Sequence, residues 1–428
     1  AGTDLGLLRT RAEPDGEGAC RINGTKIFIT SGEHDLTGNI VHLVLARLPD
    51  APAGTRGISL FLVPKYLPDE AGEPGEPNGV SCGRIEEKMG IHGSATCVIN
   101  FQDARGWLIG EPNAGLKCMF VMMNHARLWV GLQGLAQAER ALQASVAYAR
   151  ERRQGRAARG GEPGTSADLL IQHSDVRRML LTQKALVEGA RVLTYFAGMQ
   201  MDKAAYHPDP EERRRGADLL AILTPVVKSF VTDAGVEVAN LGIQVHGGHG
   251  YIRETGVEQF LRDARIACIY EGTNGVQALD LLGRKVLGSG GQLARLLGGL
   301  IGSFCQNHAG YEEMADLVPR LAGLLKAWSE ATERVAQRAA RDPEEVGAAA
   351  VDYLQLTGYL CLAWCWAKVA AVSIAALKHA PQDRGFYESK LATARFYFTR
   401  VLPRADAHLD ALDAGAEAVM ALAAEHFG

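Results

Sequence analysis

The sequence lacks several features that would indicate particular classes of protein. Its formal net charge is only −4 over 428 residues, so it has no strong field of one sign to attract nucleic acid or an anionic membrane surface. No uninterrupted apolar run reaches about 20 residues, the length that crosses a bilayer, and no basic-then-apolar leader is present. We therefore expect neither nucleic acid nor a membrane span.

Cysteine spacings typical of metal sites and disulfide frameworks are also missing. No two cysteines form a Cys-x-x-Cys pair and no His-x-x-x-His partner accompanies them, so we expect no metal centre. The eight cysteines are Cys20, Cys82, Cys97, Cys118, Cys268, Cys305, Cys361 and Cys365. Most lie beside apolar residues, which predicts reduced, buried thiols and a reducing, cytoplasmic compartment.

Residues 20–108 alternate short runs rich in β-branched and aromatic residues with turn residues. This pattern predicts a β-domain. Asn23-Gly24 lies between two such runs and predicts a tight hairpin, because both central positions of that turn favour left-handed backbone. Residues 68–79 are dense in proline, glycine and glutamate, and they predict an exposed loop.

After residue 115 the apolar residues recur at helical intervals. Four segments, residues 116–152, 171–205, 210–247 and 273–287, predict an antiparallel bundle, with residues 153–168 as a linker. A glycine-rich break at 288–292 separates this bundle from a third, helical region with helices over 318–340 and 346–377 and near 405–427. We therefore predict domains at residues 1–115, 116–288 and 293–428. In the third region, Cys361, Trp364, Cys365 and Trp366 are expected to pack in a core or interface.

One carboxylate stands beside a glycine-rich turn that opens a helix, in the stretch Ile269-Tyr-Glu-Gly-Thr-Asn-Gly275. Taken alone, Glu271 would be explained as a favourable anion at a helix N-terminus. Two further stretches precede it: a glycine loop from Gln244 to Tyr251, and Arg262-Asp-Ala-Arg265. Together, these stretches resemble the acyl-CoA dehydrogenase family of flavoproteins.

This resemblance implies an α+β multidomain fold, in which an acyl-CoA dehydrogenase-like β-barrel or sandwich is followed by a four-helix bundle and an extra α-helical domain. It implies an FAD-dependent enzyme that oxidises an acyl-CoA to the trans-2-enoyl-CoA. Glu271 would be the general base that removes the α-proton, because a carboxylate buried against flavin and acyl chain has a raised pKa. Its backbone N–H would be one donor to the thioester oxygen.

The resemblance also implies cofactor contacts. The Gln244–Gly248 loop would let backbone approach FAD, and the turn after Glu271 would favour its phosphates. Arg152 stands near the position of a family arginine that binds the FAD pyrophosphate across a dimer, although the family's following Phe-Gly pair is replaced here by Gln154-Gly155. The implied FAD-binding residues are Phe28, Thr30, Arg152, Gln244, Gly247, Gly248, Thr273 and Gly275.

Substrate contacts follow from the same resemblance. Asn124 and Arg127 occupy the place of a family Asp and Arg that face CoA, and a solvated helix face is the alternative for both. Ala1-Gly-Thr-Asp4 resembles the end of a longer family signature, so the chain is expected to lack its natural N-terminus. The implied substrate-binding residues are Thr3, Ser94, Asn124, Arg127, Tyr270 and Gly272.

The long 68–83 insertion and the region beyond 293 resemble the subgroup with a fused C-terminal helical extension, which includes 3-methylmercaptopropionyl-CoA dehydrogenases. The implied partners are an acyl-CoA, an electron-transfer flavoprotein as acceptor, and further copies of the chain in a homodimer or homotetramer. Two alternatives remain. One is a nucleic-acid-associated flavoprotein of the superfamily, which the mixed charges of the tail disfavour; the other is a non-catalytic scaffold, against which the presence of Glu271 argues.

Overall fold

The computed structural model describes residues 2–159 and 164–428. These divide into two compact units, residues 1–126 and residues 127–428. Ala1, and residues 160–163 of the predicted 153–168 linker, lie outside the described residues.

The first unit is built on an antiparallel sheet. Its strands are β1 (Arg11–Pro14), β2 (Cys20–Thr30), β3 (Val41–Ala46), β4 (Ser59–Pro64), β5 (Tyr66–Pro68), β6 (Pro74–Pro77), β7 (Val80–Ile85) and β8 (Thr96–Ile109). Six of them form one sheet in the order β1-β2-β8-β4-β3, with β7 also paired with β8, and β5 pairs with β6 separately. The sheet thus centres on β8.

Strand β8 holds the sheet together because both of its edges are paired. Along one edge it pairs with β2, from Cys20 opposite Gly106 to Thr30 opposite Thr96. The other edge is shared by β7 near residues 97–101 and β4 near residues 107–109. Alternate β8 residues, Cys97, Ile99 and Phe101, are buried in the core of this unit, as the two-residue period of a strand requires.

The predicted Asn23-Gly24 hairpin is wrong, because β2 runs through both residues as one strand. A register shift between Ile22 and Gly24 marks a β-bulge there, and Gly24 has φ +150°. The Asn23 side chain explains the preference for a bulge: its amide donates to Asp103 Oδ1 at 2.7 Å and its oxygen accepts from the Asp103 N–H at 2.9 Å. Asn-Gly chemistry is used here to bend a strand rather than to end it.

The predicted loop at residues 68–79 is exposed except at Asn78, which is buried, and it is not free of secondary structure. Strands β5 and β6 flank a turn in which the Asp69 carboxylate accepts hydrogen bonds from the Ala71 and Glu73 N–H groups. A proline- and glycine-rich sequence therefore forms a short exposed ribbon.

The second unit is helical. Its helices are α1 (Gly115–Glu151, which begins in the first unit), α2 (Ser174–Tyr206), α3 (Pro210–His246), α4 (Gly248–Tyr251), α5 (Val257–Arg265), α6 (Asn274–Leu279), α7 (Gln292–His308), α8 (Val318–Ala339), α9 (Glu344–Lys378), α10 (Arg384–Phe396), α11 (Arg404–Ala414) and α12 (Glu417–Met420). A π-helical stretch, Asp280–Leu287, continues α6.

Helix α3 shows how local sequence sets the bundle. Asp209 caps its start by accepting a hydrogen bond from the Glu211 N–H at 2.9 Å, and Gly247 ends it with φ +59°. Glycines let α3 approach α1 closely, since a Cβ added to Gly235 would lie 2.7 Å from the Gly134 carbonyl oxygen. The predicted helix at 210–247 is thus confirmed.

The C-terminal region packs against the bundle through α9. One hydrophobic cluster runs from Leu128 of α1 to Leu412 of α11 and continues across the turn at residues 288–291. Trp366 of α9 donates from Nε1 to the Ala185 carbonyl of α2 at 2.9 Å. The eight cysteines are free, and Cys361 and Cys365 are buried in this core, as predicted.

The predicted terminal helix near 405–427 is broken. Helix α11 ends at Ala414 because Gly415 adopts φ 71° and ψ −171°, and the short α12 and a 3-10 turn, Ala424–His426, follow it. Helix α10 was not predicted; Asp383 caps it by accepting from the Phe386 N–H at 3.0 Å. The end of α11 and the start of α10 each depend on one residue, Gly415 and Asp383, and the periodicity of apolar residues does not reveal such single positions.

Two helices, α3 and α9, are long and apolar enough to cross a membrane by length and composition, although polar and charged residues interrupt the apolar run of each. Most of the apolar window of each is buried among neighbouring helices, 78% in α3 and 61% in α9. Core helices of this length pass the same test, so it is weak evidence for a membrane span.

Candidate functional site

Glu271 lies in a strained turn immediately before α6. Its φ is 57°, and the following Gly272 has φ 88°. Positive φ is uncommon for a residue with a side chain, and it costs free energy that the surroundings must offset. Thr273 fixes the exit from the turn because its Oγ1 accepts a hydrogen bond from the Val276 N–H at 3.2 Å. The backbone thus holds the Glu271 carboxylate in one place.

Burial and two cations set the charge of Glu271. Burial raises the pKa of this carboxyl, while the positive charges of Lys228 and Arg127 lower it. The burial effect is the larger, so the carboxylate is a stronger base than one in water and can still be ionised. The predicted base therefore has the electrostatic surroundings that proton abstraction requires.

Lys228 is a site residue that the sequence analysis missed. It lies on α3 with no exposed surface, and its ammonium donates to Asn274 Oδ1 at 2.9 Å. Burial lowers the pKa of Lys228 to about 8. The available signal was a single lysine inside the apolar run 219–231, since a lysine there must be either paired or a break in the buried face.

Arg127, predicted to bind substrate, is buried rather than on a solvated helix face. It is 9% exposed, and its Nη1 lies 3.6 Å from Asp280 Oδ2. Asp280 also accepts from Arg284 Nε at 2.6 Å. The structure therefore places Arg127 among the charges around Glu271. Asn124, one turn earlier on α1, is exposed.

Polar groups beside the turn complete this region. The Tyr270 hydroxyl donates to Gln133 Oε1 of α1, and burial raises the pKa of Tyr270. Gln277 is fully buried, and within the described residues neither of its amide atoms has a hydrogen-bond partner. Position 272 favours glycine because its φ is +88°, and an added Cβ would also lie 2.7 Å from Gln277 Nε2.

The predicted glycine loop joins α3 to α4 and contacts the end of α1. Gly247 and Gly248 are exposed, and a Cβ on either would meet nothing within 4 Å. Behind them, the Tyr148 ring stacks on His246 with centroids 4.4 Å apart, and its hydroxyl lies 3.0 Å from His249 Nδ1. These aromatic contacts, which sequence reasoning also missed, fix the open glycine backbone.

Two other predicted residues lie at helix ends near this loop. Arg152 follows α1, is exposed, and donates from Nη2 to Gln154 Oε1 at 3.1 Å. Gln244 is exposed in the last turn of α3, where its carbonyl accepts from the Gly247 N–H at 3.2 Å. Both side chains are therefore accessible to a ligand.

The remaining predicted residues lie in the first unit. Phe28 is 68% exposed with φ 59°, beside a second bulge of β2, and Thr30 is exposed at the end of that strand. Thr3 is exposed near the start of the chain, and the Ser94 carbonyl accepts from Lys88 Nζ. Their roles in binding stay predictions.

An open cleft of about 430 Å³ adjoins the start of α6. Its lining includes Thr273 and Gly275, both predicted to bind cofactor, together with Asn274, Asp233 and Cys268. Apolar side chains, Val236 and Ile269, also line this cleft, so its wall mixes polar and apolar groups.

Three family models together match most of the chain. Residues 1–104 match the acyl-CoA dehydrogenase middle domain, residues 113–287 the acyl-CoA dehydrogenase C-terminal domain, and residues 297–423 an acetyl-CoA dehydrogenase C-terminal-like domain. The 3-methylmercaptopropionyl-CoA dehydrogenase of Ruegeria pomeroyi is 46% identical over 406 residues, which cover 94% of this chain and 68% of that protein.

The chain belongs to the acyl-CoA dehydrogenase family. A second relative, the broad-specificity linear acyl-CoA dehydrogenase FadE5 of Mycobacterium tuberculosis, is 35% identical over 94% of this chain and 69% of its own length. The fold is also similar to that of Caenorhabditis elegans ACDH-11, crystallised with C11-CoA: the TM-score is 0.80 at 21% identity, over 98% of this chain and 65% of that one.

Family membership confirms the predictions of the fold, of an FAD-dependent oxidoreductase of the acyl-CoA dehydrogenase class and of FAD as cofactor. The nucleic-acid and scaffold alternatives are not favoured by these relatives. The chain spans about two thirds of the length of the relatives that it matches.

The residues of the second unit fit an extended, anionic dinucleotide such as FAD. Gly247 and Gly248 leave their backbone open to close approach, and exposed Arg152 supplies a cation suited to a pyrophosphate. Buried amides are normally hydrogen-bonded, so the unpaired amide of Gln277 favours a polar ligand atom next to the Glu271 turn.

Proposed function

We propose that this protein removes one hydrogen each from the α- and β-carbons of an acyl-CoA thioester and forms the trans-2-enoyl-CoA. The observation that carries this proposal is Glu271, a half-buried carboxylate held in a strained turn with its pKa raised by burial. The positive charges of Lys228 and Arg127 moderate that rise and favour the ionised form of the carboxylate, which is the form that acts as a base.

In this reaction the Glu271 carboxylate is the proton acceptor. A carboxylate oxygen of Glu271 takes the α-proton, which the neighbouring thioester makes acidic, and the electron pair left behind forms the new double bond as the β-hydrogen departs. When bound, FAD supplies the acceptor for that β-hydrogen as a hydride. The Glu271 N–H would donate to the thioester oxygen, where negative charge develops.

For the substrate, we propose a short acyl-CoA, with 3-methylmercaptopropionyl-CoA as the first candidate. Support comes from the R. pomeroyi relative of that name, which is 46% identical. Short straight-chain acyl-CoAs are the second candidate, because relatives named for butyryl-CoA and for linear acyl-CoAs are 34–35% identical.

We further propose that an electron-transfer flavoprotein reoxidises the flavin, that the reaction belongs to cytoplasmic fatty-acid β-oxidation, and that the protein is a homodimer or homotetramer. Exposed apolar side chains on α1, Val121 (70% exposed) and Trp129 (63% exposed), support self-association.

Anaerobic visible spectroscopy of the FAD-loaded protein tests the reaction and the substrate together. We expect 3-methylmercaptopropionyl-CoA to bleach the oxidised flavin band faster than butyryl-CoA, and butyryl-CoA faster than a long-chain acyl-CoA, with the enoyl-CoA product found by mass spectrometry. Equal bleaching by all chains would contradict the substrate assignment. Full flavin occupancy with no bleaching by any acyl-CoA would contradict the reaction.

A further inference from the structure

A hydrogen-bonded network of polar side chains connects the start of α6, next to the Glu271 turn, with the C-terminal region. Lys228 donates to Asn274 Oδ1 at 2.9 Å, and Asn274 Nδ2 donates to Asp233 Oδ1 at 2.7 Å. The other carboxylate oxygen of Asp233 accepts from Gln355 Nε2 at 2.8 Å. Three elements, α3, α6 and α9, thus meet around one buried ammonium group.

Donor and acceptor chemistry fixes the orientation of the side chains in this hydrogen-bonded network. The Asn274 amide turns its oxygen to a donor, Lys228, and its nitrogen to an acceptor, Asp233, so a single orientation satisfies both neighbours. Asn274 Nδ2 also lies 3.1 Å from Thr232 Oγ1 and 3.3 Å from the Ser229 carbonyl. Asn274 is the first residue of α6, so this network also anchors the turn that carries the base.

The charges explain why Asp233 matters to Lys228. An ammonium buried without a partner is costly and tends to lose its proton. Burial lowers the pKa of Lys228, and the neighbouring Cys268 and Asp233 raise it and partly offset that lowering. Burial raises the pKa of Asp233 in turn, and the hydrogen bond from Gln355 is among the contacts that lower it.

Gln355 lies in the first third of α9, a long helix of the C-terminal region. A second contact joins the same region to α3, because Arg404 Nη1 of α11 lies 2.9 Å from Glu237 Oε1. The region beyond residue 293 therefore contacts α3 through two polar side chains, and one of them, Gln355, joins the network around Lys228.

We propose that Lys228 is a positioning residue that keeps Glu271 ionised, and that Gln355 of the C-terminal region maintains the charge of Lys228 through Asp233. This inference rests on the proposed function, since it assigns electrostatic control to the same base. It gives the C-terminal helical region a role in the reaction besides packing.

Other charged groups around Lys228 and Glu271 limit how far the titration midpoint of Glu271 is expected to move. Arg127 of α1 acts on both Lys228 and Glu271, and it is itself ion-paired with Asp280. Cys268 also faces Lys228, and burial raises the pKa of its thiol. Because Arg127 remains when Lys228 is replaced, we expect a shift in the titration of Glu271 rather than complete loss of its ionised form.

The test measures the titration of Glu271 directly. The carboxyl band of Glu271 is isolated by infrared difference spectroscopy against Glu271→Gln and followed with pH in the FAD-loaded protein. Lys228→Met and Gln355→Leu should both move the midpoint to higher pH, the first by more. Lys326→Met is the matched control, because this α8 lysine has a 78% exposed side chain, and it should leave the midpoint unchanged.

Flavin reduction gives an independent readout. Below the midpoint, each unit of upward shift lowers the rate about tenfold, so Lys228→Met should lose rate at low pH and recover it at higher pH. Glu271→Gln should not recover. A midpoint that stays in place in folded Gln355→Leu overturns the role of the C-terminal region, even if Lys228→Met does not fold.

Flavin reduction and the Glu271 midpoint separate the positioning role of Lys228 and Gln355 from the reaction itself. If the wild-type flavin is reduced by acyl-CoA but neither variant moves the Glu271 midpoint, only the positioning role is refuted. If no acyl-CoA reduces the wild-type flavin, the proposed reaction is refuted, while the infrared midpoints still decide whether Lys228 and Gln355 control Glu271.

Discussion

Gly358 of α9 provides a sharp test of how the C-terminal region is joined to the bundle. A Cβ at this position would lie 2.2 Å from Cδ2 of Phe230 on α3, whereas ordinary contacts begin near 3.4 Å. Phe230 cannot easily move, because it is 2% exposed and its ring meets Tyr359 edge-on with centroids 5.0 Å apart. Gly358→Ala should therefore force the two helices apart.

The magnitude follows from two opposing terms. Alanine in place of glycine inside a helix gains about 1 kcal/mol, whereas overpacking a closed core costs about 1–3 kcal/mol or more. With contacts more than 1 Å too short, we expect Gly358→Ala to lower the free energy of unfolding by about 2 kcal/mol. Gly347→Ala is the control in the same helix: it is exposed and its Cβ meets nothing within 4 Å, so it should raise stability by up to about 1 kcal/mol.

Urea denaturation followed by tryptophan fluorescence measures both variants, since Trp328, Trp364 and Trp366 are buried in this unit. Equal stabilisation by Gly358→Ala and Gly347→Ala would show that α9 is not closely packed against Phe230 at position 358. That result would refute the packing on which the connection between the C-terminal region and the site depends.

Three further outcomes are expected. Gly235→Ala should lower the free energy of unfolding by about 1–3 kcal/mol, because its Cβ would lie 2.7 Å from the Gly134 carbonyl oxygen; unchanged urea midpoints would contradict this close helix approach. Gly272→Ala should slow flavin reduction, since its φ is +88° and its Cβ would strike Gln277; a wild-type rate in stopped flow would argue against the turn geometry. The rate of flavin reduction should rise with pH through a midpoint above the ordinary range for glutamate, because burial raises the pKa of Glu271 and its ionised form is the base; a rate that falls with pH would reverse the assignment.

Much of the helical architecture was predictable because residues next to each helix end determine where the helix begins and ends. Asp209-Pro210 and Gly247 delimit α3, and the sequence predicts that helix almost to the residue. The Asn23-Gly24 error has the same local origin, since the two residues suit a hairpin and a bulge equally. The choice was made by Asp103, 80 residues away, which pairs with Asn23.

Only the residues of the candidate site that lie in the sequence motif around Glu271 were predictable. Glu271 stands out because of its neighbours in the sequence, whereas Lys228 is separated from its partner Asn274 by 46 positions. Gln355 is 122 positions from Asp233, and nothing in an apolar helix marks one glutamine as functional. Burial of a charge is decided by tertiary partners, which composition and periodicity do not reveal.

The most direct test of the account is the rate at which an acyl-CoA bleaches the flavin of Glu271→Gln under anaerobic conditions. FAD content is measured in parallel, and Glu254→Gln, an exposed glutamate upstream, serves as the matched control. The account predicts normal FAD content in both variants, normal bleaching in Glu254→Gln and no bleaching in Glu271→Gln. Bleaching at the wild-type rate by Glu271→Gln would contradict the assignment of Glu271 as the base.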